Sequence, residues 1–435
     1  MSAITLTNAI LVDLDPPAMR RGWLRIEDGT IRSIGEDATA GGGGDVHDCH
    51  GAVVLPGLVN GHTHLYSALA VGMPPPDQAP EDFLQILQRV WWKLDLALDE
   101  RSILASGLIG SIEALRCGTT TLIDHHASPN CIGGSLDLME QAMERVGLRG
   151  VLCYEVTDRN GQAGRDAGLA ETARYLELCQ KRGDGQFAGL VGGHALFTLE
   201  DDTLNDLRDL ANDFDVGVHI HLAEDTHDEE VCTSEHQLFL GDRLRAHGLL
   251  RRDSLFAHGT HLTDNDIEAI TRAGCTLAHN TRSNMNNAVG YAPIPQLWGR
   301  VPVCLGTDGI GSDMLAEART AWFKLRDERT GLGPDAVLHM LANSARRASQ
   351  SLDLPFGRLE PEYAADLVVT DYYPATPVTG DNVLGHLLFA LGSRHVKDVM
   401  IGGQWRMKDR CVLGVDEAAE RHAAVEIAGA LWGRM

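Results

Sequence analysis

Eight short apolar runs alternate with helix-like stretches through the middle of the chain, and this alternation constrains the fold most. The stretches between the runs repeat apolar residues at the helical period. Eight strand–helix units over about 300 residues match an α/β fold, the (β/α)8 or TIM barrel, in which parallel strands close on themselves. The predicted strands are GLVNGHTH, TTLIDHH, GVLCYE, AGLVGGHA, VGVHIHLAE, SLFAHG, CTLAHN and PVCLGTDG.

The two ends of the chain show a different, period-2 rhythm that is typical of half-buried strands. It runs through AITLTNAILV and WLRIEDGTIRSIG near the start, where Asp28-Gly29 predicts a hairpin turn, and returns in AADLVVTDYY and VKDVMIGGQWRM. We expect residues 1–56 and 357–415 to form one small β-sandwich domain, residues 57–356 the barrel, and residues 416–435 a C-terminal helix.

Composition and charge narrow the range of partners. The net charge of −24 disfavours binding to a nucleic-acid backbone. No stretch approaches the ~20 apolar residues of a membrane span, and MSAITLTNAI lacks the pattern of a secretory signal. The nine cysteines include no C-x-x-C pair, which indicates reduced thiols in the cytoplasm. We expect a cytoplasmic protein with a small-molecule partner, and a homo-oligomer stays open; the GGGG tract at 41–44 predicts a surface turn.

Each predicted barrel strand ends in a side chain that can bind a metal or move a proton. Catalytic groups of such barrels lie at the C-terminal strand ends, so these side chains are expected to meet in one pocket. A single histidine after an apolar run is more often structural. A histidine or carboxylate at nearly every strand end is hard to explain by chance. In chain order they are His62/His64, His125/His126, Glu155, His194, His221/Glu224, His258, His279 and Asp308.

The His-x-His pair predicts a metal site. His62 and His64 alternate on one strand, so both side chains point to the same side. Imidazole nitrogens suit Zn²⁺ first and Fe²⁺ second. His221 and Asp308 can complete a mixed nitrogen and oxygen shell around one divalent ion, which leaves room for a water that the metal acidifies.

Hydrolysis also needs groups that handle protons. Glu224 lies three residues past His221 and can accept a proton from the water and deliver it to the leaving group. His258 can orient the water and stabilise the charge that builds on the attacked carbon. The alternative for Glu224 is an exposed residue in the acidic run EDTHDEE.

The segments PGLVNGHTH, HIHLAE, FAHG and LGTDG, in this order, resemble the amidohydrolase superfamily, in its mononuclear deaminase and chlorohydrolase branch. DHHASPNCIGGSL, YEVTDRNG and RSNMNNAVGY resemble the aminohydrolases of the SsnA type. The resemblance implies metal binding by the four residues above, proton transfer by Glu224, an orienting role for His258, and a hydrogen bond from Asp308 to the water. Thr281 departs from the proline that this family commonly has after HN.

The resemblance also bears on the number of metals. Dinuclear relatives bridge two ions with a carboxylated lysine on the fourth strand, and AGLVGGHAL contains no lysine. One metal is therefore expected. His194 ends that strand instead, either as a substrate contact or as a hydrogen-bonded core residue.

Candidate substrate contacts are weaker predictions. The long segment after the first strand has the length of a lid, and Tyr66, Trp91 and Trp92 in it could form an aromatic wall, although FLQILQRVWWKL also has the spacing of a packed helix. The further candidates are His194, Arg159, Trp92, His125, His279 and Asn284, with Arg282 and Asn287 beside the last.

These observations favour a metal-dependent aminohydrolase that deaminates a nitrogen heterocycle, such as a purine, pterin or pyrimidine, and releases ammonia. Removal of a halide from the same carbon is the alternative reaction. A non-catalytic metal- or ligand-binding barrel is the alternative from another class. The motifs H-E-x-x-H, G-x-S-x-G and G-x-x-x-x-G-K-[ST] are absent from the sequence.

Overall fold

The protein alternates strands and helices through its central part, in a computed structural model that describes residues 3–36 and 44–435. Most of the glycine turn predicted at 41–44 therefore lies outside the described residues. The strands are β1 Ile4–Leu14, β2 Pro17–Glu27, β3 Thr30–Gly35, β4 Asp45–Asp48, β5 Val53–Pro56, β6 Leu58–Thr63, β7 Thr119–His126, β8 Arg149–Tyr154, β9 Phe187–Gly189, β10 Val191–Ala195, β11 Val218–Leu222, β12 Leu255–His258, β13 Thr276–His279, β14 Val303–Leu305, β15 Leu367–Thr370, β16 Val396–Ile401, β17 Gln404–Lys408 and β18 Cys411–Val412.

The α-helices fill most of the intervals between the central strands. They are α1 Phe83–Ile86, α2 Trp92–Ala97, α3 Glu100–Arg116, α4 Ser135–Val146, α5 Gly161–Arg182, α6 Asp201–Asp213, α7 Thr226–Glu235, α8 Leu240–Ala246, α9 Asp264–Ala273, α10 Thr281–Asn287, α11 Ile294–Leu297, α12 Met314–Asp327, α13 Asp335–Leu352, α14 Val383–Phe389 and α15 Glu417–Trp432.

Local sequence sets several helix ends. Asp99 caps α3 by accepting a 2.8 Å hydrogen bond from the Ser102 backbone N–H. Thr263 and Asp266 form a capping box at the start of α9. Gly147 ends α4 with φ of 78°, a left-handed conformation that glycine adopts without steric cost.

The strands predicted from the two chain ends meet in one nine-stranded sheet. Its order is β18-β17-β16-β15-β5-β1-β2-β3, with β4 also pairing β1. The predicted hairpin turn connects β2 and β3: Asp28 and Gly29 both have positive φ, 49° and 79°, as a two-residue type I′ turn requires.

The central strands form two parallel arcs. One arc has the order β6-β7-β8-β9 and the other β10-β11-β12-β13-β14. Parallel bridges between Thr63 and Asp308, and between Val156 and Gly193, link the arcs at both junctions. All eight predicted strands are present in order, but the fourth is interrupted at Leu190, which separates β9 from β10.

Small apolar side chains fill one layer between the arcs, and α13 covers it. Buried residues of this cluster include Val59, Ile123 and Val151 from the strands and Ala348 from α13. Because the strands are parallel, all their C-terminal ends lie at the opposite edge, where the predicted site residues are found.

The segment after β6 is more regular than a long irregular loop. It contains a 3₁₀ turn at Leu65–Ala70, then α1, a π-helical turn at Leu87–Trp91, and α2. The helical spacing of FLQILQRVWWKL therefore corresponds to real helix, while residues 71–82 carry no helix or strand.

The predicted C-terminal helix is α15, and it packs on α3. Arg116 bonds Glu417 at 3.1 Å, and the Trp432 indole N–H donates to the Leu69 carbonyl at 2.9 Å. Within residues 3–36 and 44–435, every helix is too short or too polar to serve as a membrane span.

Candidate active site

Two histidines face each other across the mouth of the strands. The Nδ1 of His64 donates to the carbonyl of His125 at 2.6 Å, and the Nδ1 of His221 donates to the carbonyl of His194 at 2.9 Å. Since each ring gives its proton to a carbonyl, each Nε2 keeps a lone pair, and the two Nε2 atoms lie 3.2 Å apart.

His62 and Asp308 complete this cluster. The Asp308 Oδ1 lies 3.0 Å from the His64 Nε2 and 3.6 Å from the His62 Nε2. The His62 Nε2 is buried without a hydrogen-bond partner in the described chain, while its Nδ1 lies 2.9 Å from the His219 Nε2. The four predicted ligands therefore converge, and His219 lies one step deeper, as expected.

The donor set fits a divalent ion. Two imidazole nitrogens at 3.2 Å repel each other unless a cation or a shared proton lies between them. Outer hydrogen bonds that fix the tautomer of each ring are typical of metal-ligating histidines. Three imidazole nitrogens and one carboxylate oxygen also match the ligand preference of zinc.

The described residues contain two overlapping groups of possible ligands. In each group the donor atoms lie within 4.8 Å of one another. His221 belongs to both. The groups are His62, His221, His258 and Asp308, and His64, His125, Glu155 and His221.

The backbone is left-handed at three residues of the strand ends. Ala223, His258 and Asp308 have φ of 51°, 75° and 54°, a region that non-glycine residues rarely adopt. The buried Asp228 carboxylate holds one of these turns by accepting from the Ala223 N–H at 2.9 Å. These turns redirect the chain immediately before Glu224 and at the other two side chains.

Glu224 lies inside the site. Only 13% of its side chain is exposed, and its Oε2 is 3.4 Å from the His258 Nε2. Burial, and then the nearby Asp308 charge, raise the pKa of Glu224 well above its ordinary value. The alternative of a solvent-exposed residue in the acidic run is therefore wrong.

His258 is fully buried, and its Nδ1 lies 2.8 Å from the Asn284 Oδ1. Burial lowers the pKa of His258, which favours the neutral ring. Asn284 thus contacts a site histidine and does not line the cavity as the predicted substrate contact would. Sequence reasoning gave no signal for this pairing.

Helix α10 also carries Arg282 and Asn287, the two other candidate contacts of this segment. Arg282 bonds Glu317 through its Nε at 2.5 Å and does not face the cavity. Thr281, at the position where proline was expected, donates its backbone N–H to Glu317 as well. Asn287 does line the cavity, and it lies 3.5 Å from the Glu224 Oε1.

Aromatic side chains line the cavity above the histidine cluster. Tyr66, Trp91 and Trp92 all lie there, as the sequence predicted, and Phe83 and Leu87 extend this wall. The wall belongs to the helical segment after β6. Such a lining suits a flat, heteroaromatic ligand.

Arg159 is not free to bind a ligand carboxylate. Its guanidinium pairs with Asp95, lies 3.3 Å from the Glu155 Oε1, and stacks 4.9 Å from the Trp92 ring centre. Asp95, which the sequence did not single out, is 1% exposed, and its Oδ1 has no partner in the described chain. Burial raises the pKa of Asp95 to about 7 despite the facing arginine.

The remaining predicted contacts divide between cavity and interior. His194 lines the cavity and pairs with the Thr198 hydroxyl at 2.7 Å. His125 is buried, and its Nε2 lies 3.1 Å from two backbone carbonyls. His279 is buried against Tyr291, away from the cavity lining, and burial lowers its pKa to about 3.

Residues 53–406 match the sequence profile of the Amidohydrolase family, and this range contains every site residue above. The chain belongs to the amidohydrolase family. It is 30% identical over 429 residues to a 5′-deoxyadenosine deaminase of Methanosarcina barkeri, covering 96% of this chain and 95% of the relative. It is 30% identical over 407 residues to a 5-methylthioadenosine/S-adenosylhomocysteine deaminase of Desulforudis audaxviator, covering 91% of each.

Solved structures show that this amidohydrolase has a known fold. An adenosine deaminase of Xanthomonas campestris, solved with bound zinc, superposes with a TM-score of 0.85 at 23% identity and 98% coverage of both chains. The family match over residues 53–406 confirms the resemblance drawn from PGLVNGHTH, HIHLAE, FAHG and LGTDG.

Proposed function

We propose that this amidohydrolase deaminates the adenine ring of a nucleoside. The observation that carries this proposal is the cluster of His62, His64, His221 and Asp308 next to Glu224 and His258. One aromatic-walled cavity opens onto this cluster and is lined by His64, His221, Glu224 and Asp308. The two similar curated relatives, which are named as deaminases of adenine nucleosides, support it.

His62, His64, His221 and Asp308 would hold one divalent ion, Zn²⁺ before Fe²⁺. Such an ion supplies Lewis acidity that lowers the pKa of water towards neutrality. The unpartnered His62 Nε2 and the close approach of the His64 and His221 nitrogens support this assignment.

In the proposed reaction, water adds to the carbon that carries the amino group, and the carbon–nitrogen bond then breaks to release ammonia. Glu224 takes one proton from the water and passes it to the ring nitrogen, then takes the second proton from the hydroxyl now on the carbon and passes it to the leaving amine, so that ammonia departs and a ring carbonyl remains. Its raised pKa suits a group that must hold a proton during part of the cycle. His258 and Asp308 orient the water.

The cavity lining supports a nucleoside without a charged tail. Trp91, Trp92 and Tyr66 line the cavity with aromatic surface, and the Asp95 carboxylate, which lines it too, is an acceptor for a sugar hydroxyl. Arg159, whose guanidinium already faces Asp95 and Glu155, offers little to a carboxylate. We therefore place 5′-deoxyadenosine and 5′-methylthioadenosine ahead of S-adenosylhomocysteine.

We also infer that the two arcs close as a (β/α)8 barrel through the bridges at Thr63 and Val156, with a β-sandwich built from the nine-stranded sheet. Residues 57–356 are inferred to be the barrel and residues 1–56 with 357–415 the smaller domain. The nine free cysteines support a reducing cytoplasmic setting.

The experiment is an ammonia-release assay on zinc-loaded protein with 5′-deoxyadenosine, 5′-methylthioadenosine, adenosine and S-adenosylhomocysteine. We expect one ammonia per nucleoside consumed. Glu224→Gln should lower kcat by about 10²–10⁴-fold because it removes proton transfer, while bound zinc stays stoichiometric. Unchanged kcat in that variant would overturn the role of Glu224. If the zinc-loaded wild type released no ammonia from any of the four nucleosides, the proposed function would be overturned.

A further inference from the structure

One short helix gives hydrogen-bond partners to three groups of the site. The Ser283 hydroxyl donates to the Asp308 Oδ2, leaving the other oxygen of that carboxylate towards His64 and His62. This contact fixes the rotation of the Asp308 carboxylate about its Cβ–Cγ bond. A neutral hydroxyl does so without adding charge.

Asn284, the next residue of α10, faces a different group. Its Oδ1 accepts from the His258 Nδ1 at 2.8 Å, which leaves the His258 Nε2 as the nitrogen that faces Glu224 at 3.4 Å. The tautomer of His258 therefore depends on this amide.

Asn287, one turn further along α10, reaches the third group. Its Nδ2 lies 3.5 Å from the Glu224 Oε1 and 3.4 Å from the Ser283 hydroxyl. Residues four apart lie on the same face of a helix, so Ser283 and Asn287 present one continuous polar surface to the site.

An ion pair between Arg282 and a buried carboxylate holds this helix in place. Glu317, on α12, is fully buried and accepts from the Arg282 backbone N–H at 3.1 Å and from its Nε at 2.5 Å. The Arg282 Nη2 also donates at 2.8 Å to the Gly311 carbonyl, in the loop that follows Asp308. Helix α10 is thus tied to both α12 and the loop of the last strand.

We propose that α10 is a positioning element of this enzyme: Ser283 fixes the metal-binding orientation of Asp308, Asn284 fixes the tautomer of His258, and the Arg282–Glu317 pair fixes the helix. The inference rests on the proposed deamination for its kinetic part. Its metal-binding part is independent of turnover.

The first test measures zinc affinity by competition with a chelator. Ser283→Ala should raise the zinc Kd about 10–100-fold, the range typical for loss of an outer hydrogen bond to a ligand, and Ser283→Thr should restore it. Met285→Ala, at an exposed position of the same helix, is the matched control. Equal Kd values for Ser283→Ala and Met285→Ala would overturn the proposed role of Ser283.

The second test separates Asn284 from a merely structural residue. Asn284→Ala should lower kcat about 10–100-fold at unchanged KM and unchanged zinc Kd. Asn284→Asp keeps an acceptor for the His258 Nδ1–H in the same place, so it should restore kcat. Equal kcat losses in Asn284→Ala and Asn284→Asp would overturn this role.

The third test addresses the Arg282–Glu317 pair that holds α10. Glu317→Gln keeps the shape of the side chain but removes the charge that faces Arg282. The zinc Kd should therefore rise as in Ser283→Ala, and kcat should fall as in Asn284→Ala. A wild type that binds zinc but deaminates nothing would contradict the proposed function while leaving the Ser283 result to decide the inference. A Glu317→Gln protein with wild-type zinc Kd would overturn the anchoring role.

Discussion

At the scale of single residues, Asp95 offers the clearest test of how the cavity holds its ligand. Its pKa is raised to about 7 by burial, so the carboxylate ionises near neutral pH. The ionised form is the better acceptor for sugar hydroxyls. We expect the wild-type KM for 5′-deoxyadenosine to fall as pH rises through about 7, and the Asp95→Asn variant to show a higher KM without this pH dependence.

The matched control changes the substrate. The 2′,3′-dideoxy analogue of 5′-deoxyadenosine lacks the sugar hydroxyls, so the KM for this analogue should respond little to Asp95→Asn at any pH. Equal pH dependence of KM in wild type and variant would show that Asp95 does not bind the sugar.

Residue types at strand ends could be predicted from sequence because their spacing follows the period of a strand. His62, His64, His221 and Asp308 lie close together, and their role as metal ligands stays a prediction. Asp95 could not be found this way, since its position depends on how a helix in the segment after β6 folds back over the strands. The contact between Asn284 and His258 likewise depends on tertiary packing.

At the scale of elements, Gly306 lets the last strand approach the first. A Cβ at this position would lie 2.4 Å from the Asn280 Oδ1 and 2.8 Å from the His62 Cβ. Gly306→Ala should therefore push β14 away from β6. We expect a loss of about 1–3 kcal/mol in unfolding free energy and weaker zinc binding, measured by urea denaturation and metal titration.

Gly311 provides the comparison, because a Cβ there meets nothing within 4 Å. Gly311→Ala should leave both quantities near their wild-type values. Wild-type zinc binding by Gly306→Ala would contradict the close-approach argument.

Element types were predictable where apolar runs and helical periods were long. The helices α3, α6 and α9 lie in the helix-like stretches between the predicted strands, and the hairpin occurs at Asp28-Gly29 as predicted. The break at Leu190 and the order within the segment after β6 had no such signal. Both are set by contacts with neighbouring elements, which periodicity does not encode.

At the scale of the whole molecule, a buried ion pair joins the nine-stranded sheet to the first arc. Arg149 at the start of β8 bonds both oxygens of Asp366, at 2.8 and 3.2 Å, and both side chains are at most 9% exposed. Arg149→Met leaves an uncompensated buried carboxylate. We expect a loss of about 3–5 kcal/mol in unfolding free energy, measured by chemical denaturation.

The exposed pair of Arg272 and Glu268 is the control, and Arg272→Met should change the same quantity by less than about 1 kcal/mol. Similar effects of the two substitutions would show that the Arg149 pair does not join the two parts. The meeting of the chain ends in one sheet was predictable from their shared rhythm, whereas this long-range pair was not, since charge placement carries no periodic signal.

The left-handed turns at Ala223, His258 and Asp308 lower the stability of the fold but place side chains in the site. Each costs about 1–3 kcal/mol that the surrounding fold must offset. Glycine at position 223 would relieve that cost but would also make the backbone more flexible there. The Glu224 carboxylate would then be held less firmly in the site. A substitution at position 223 that raises the free energy of unfolding is therefore expected to lower kcat.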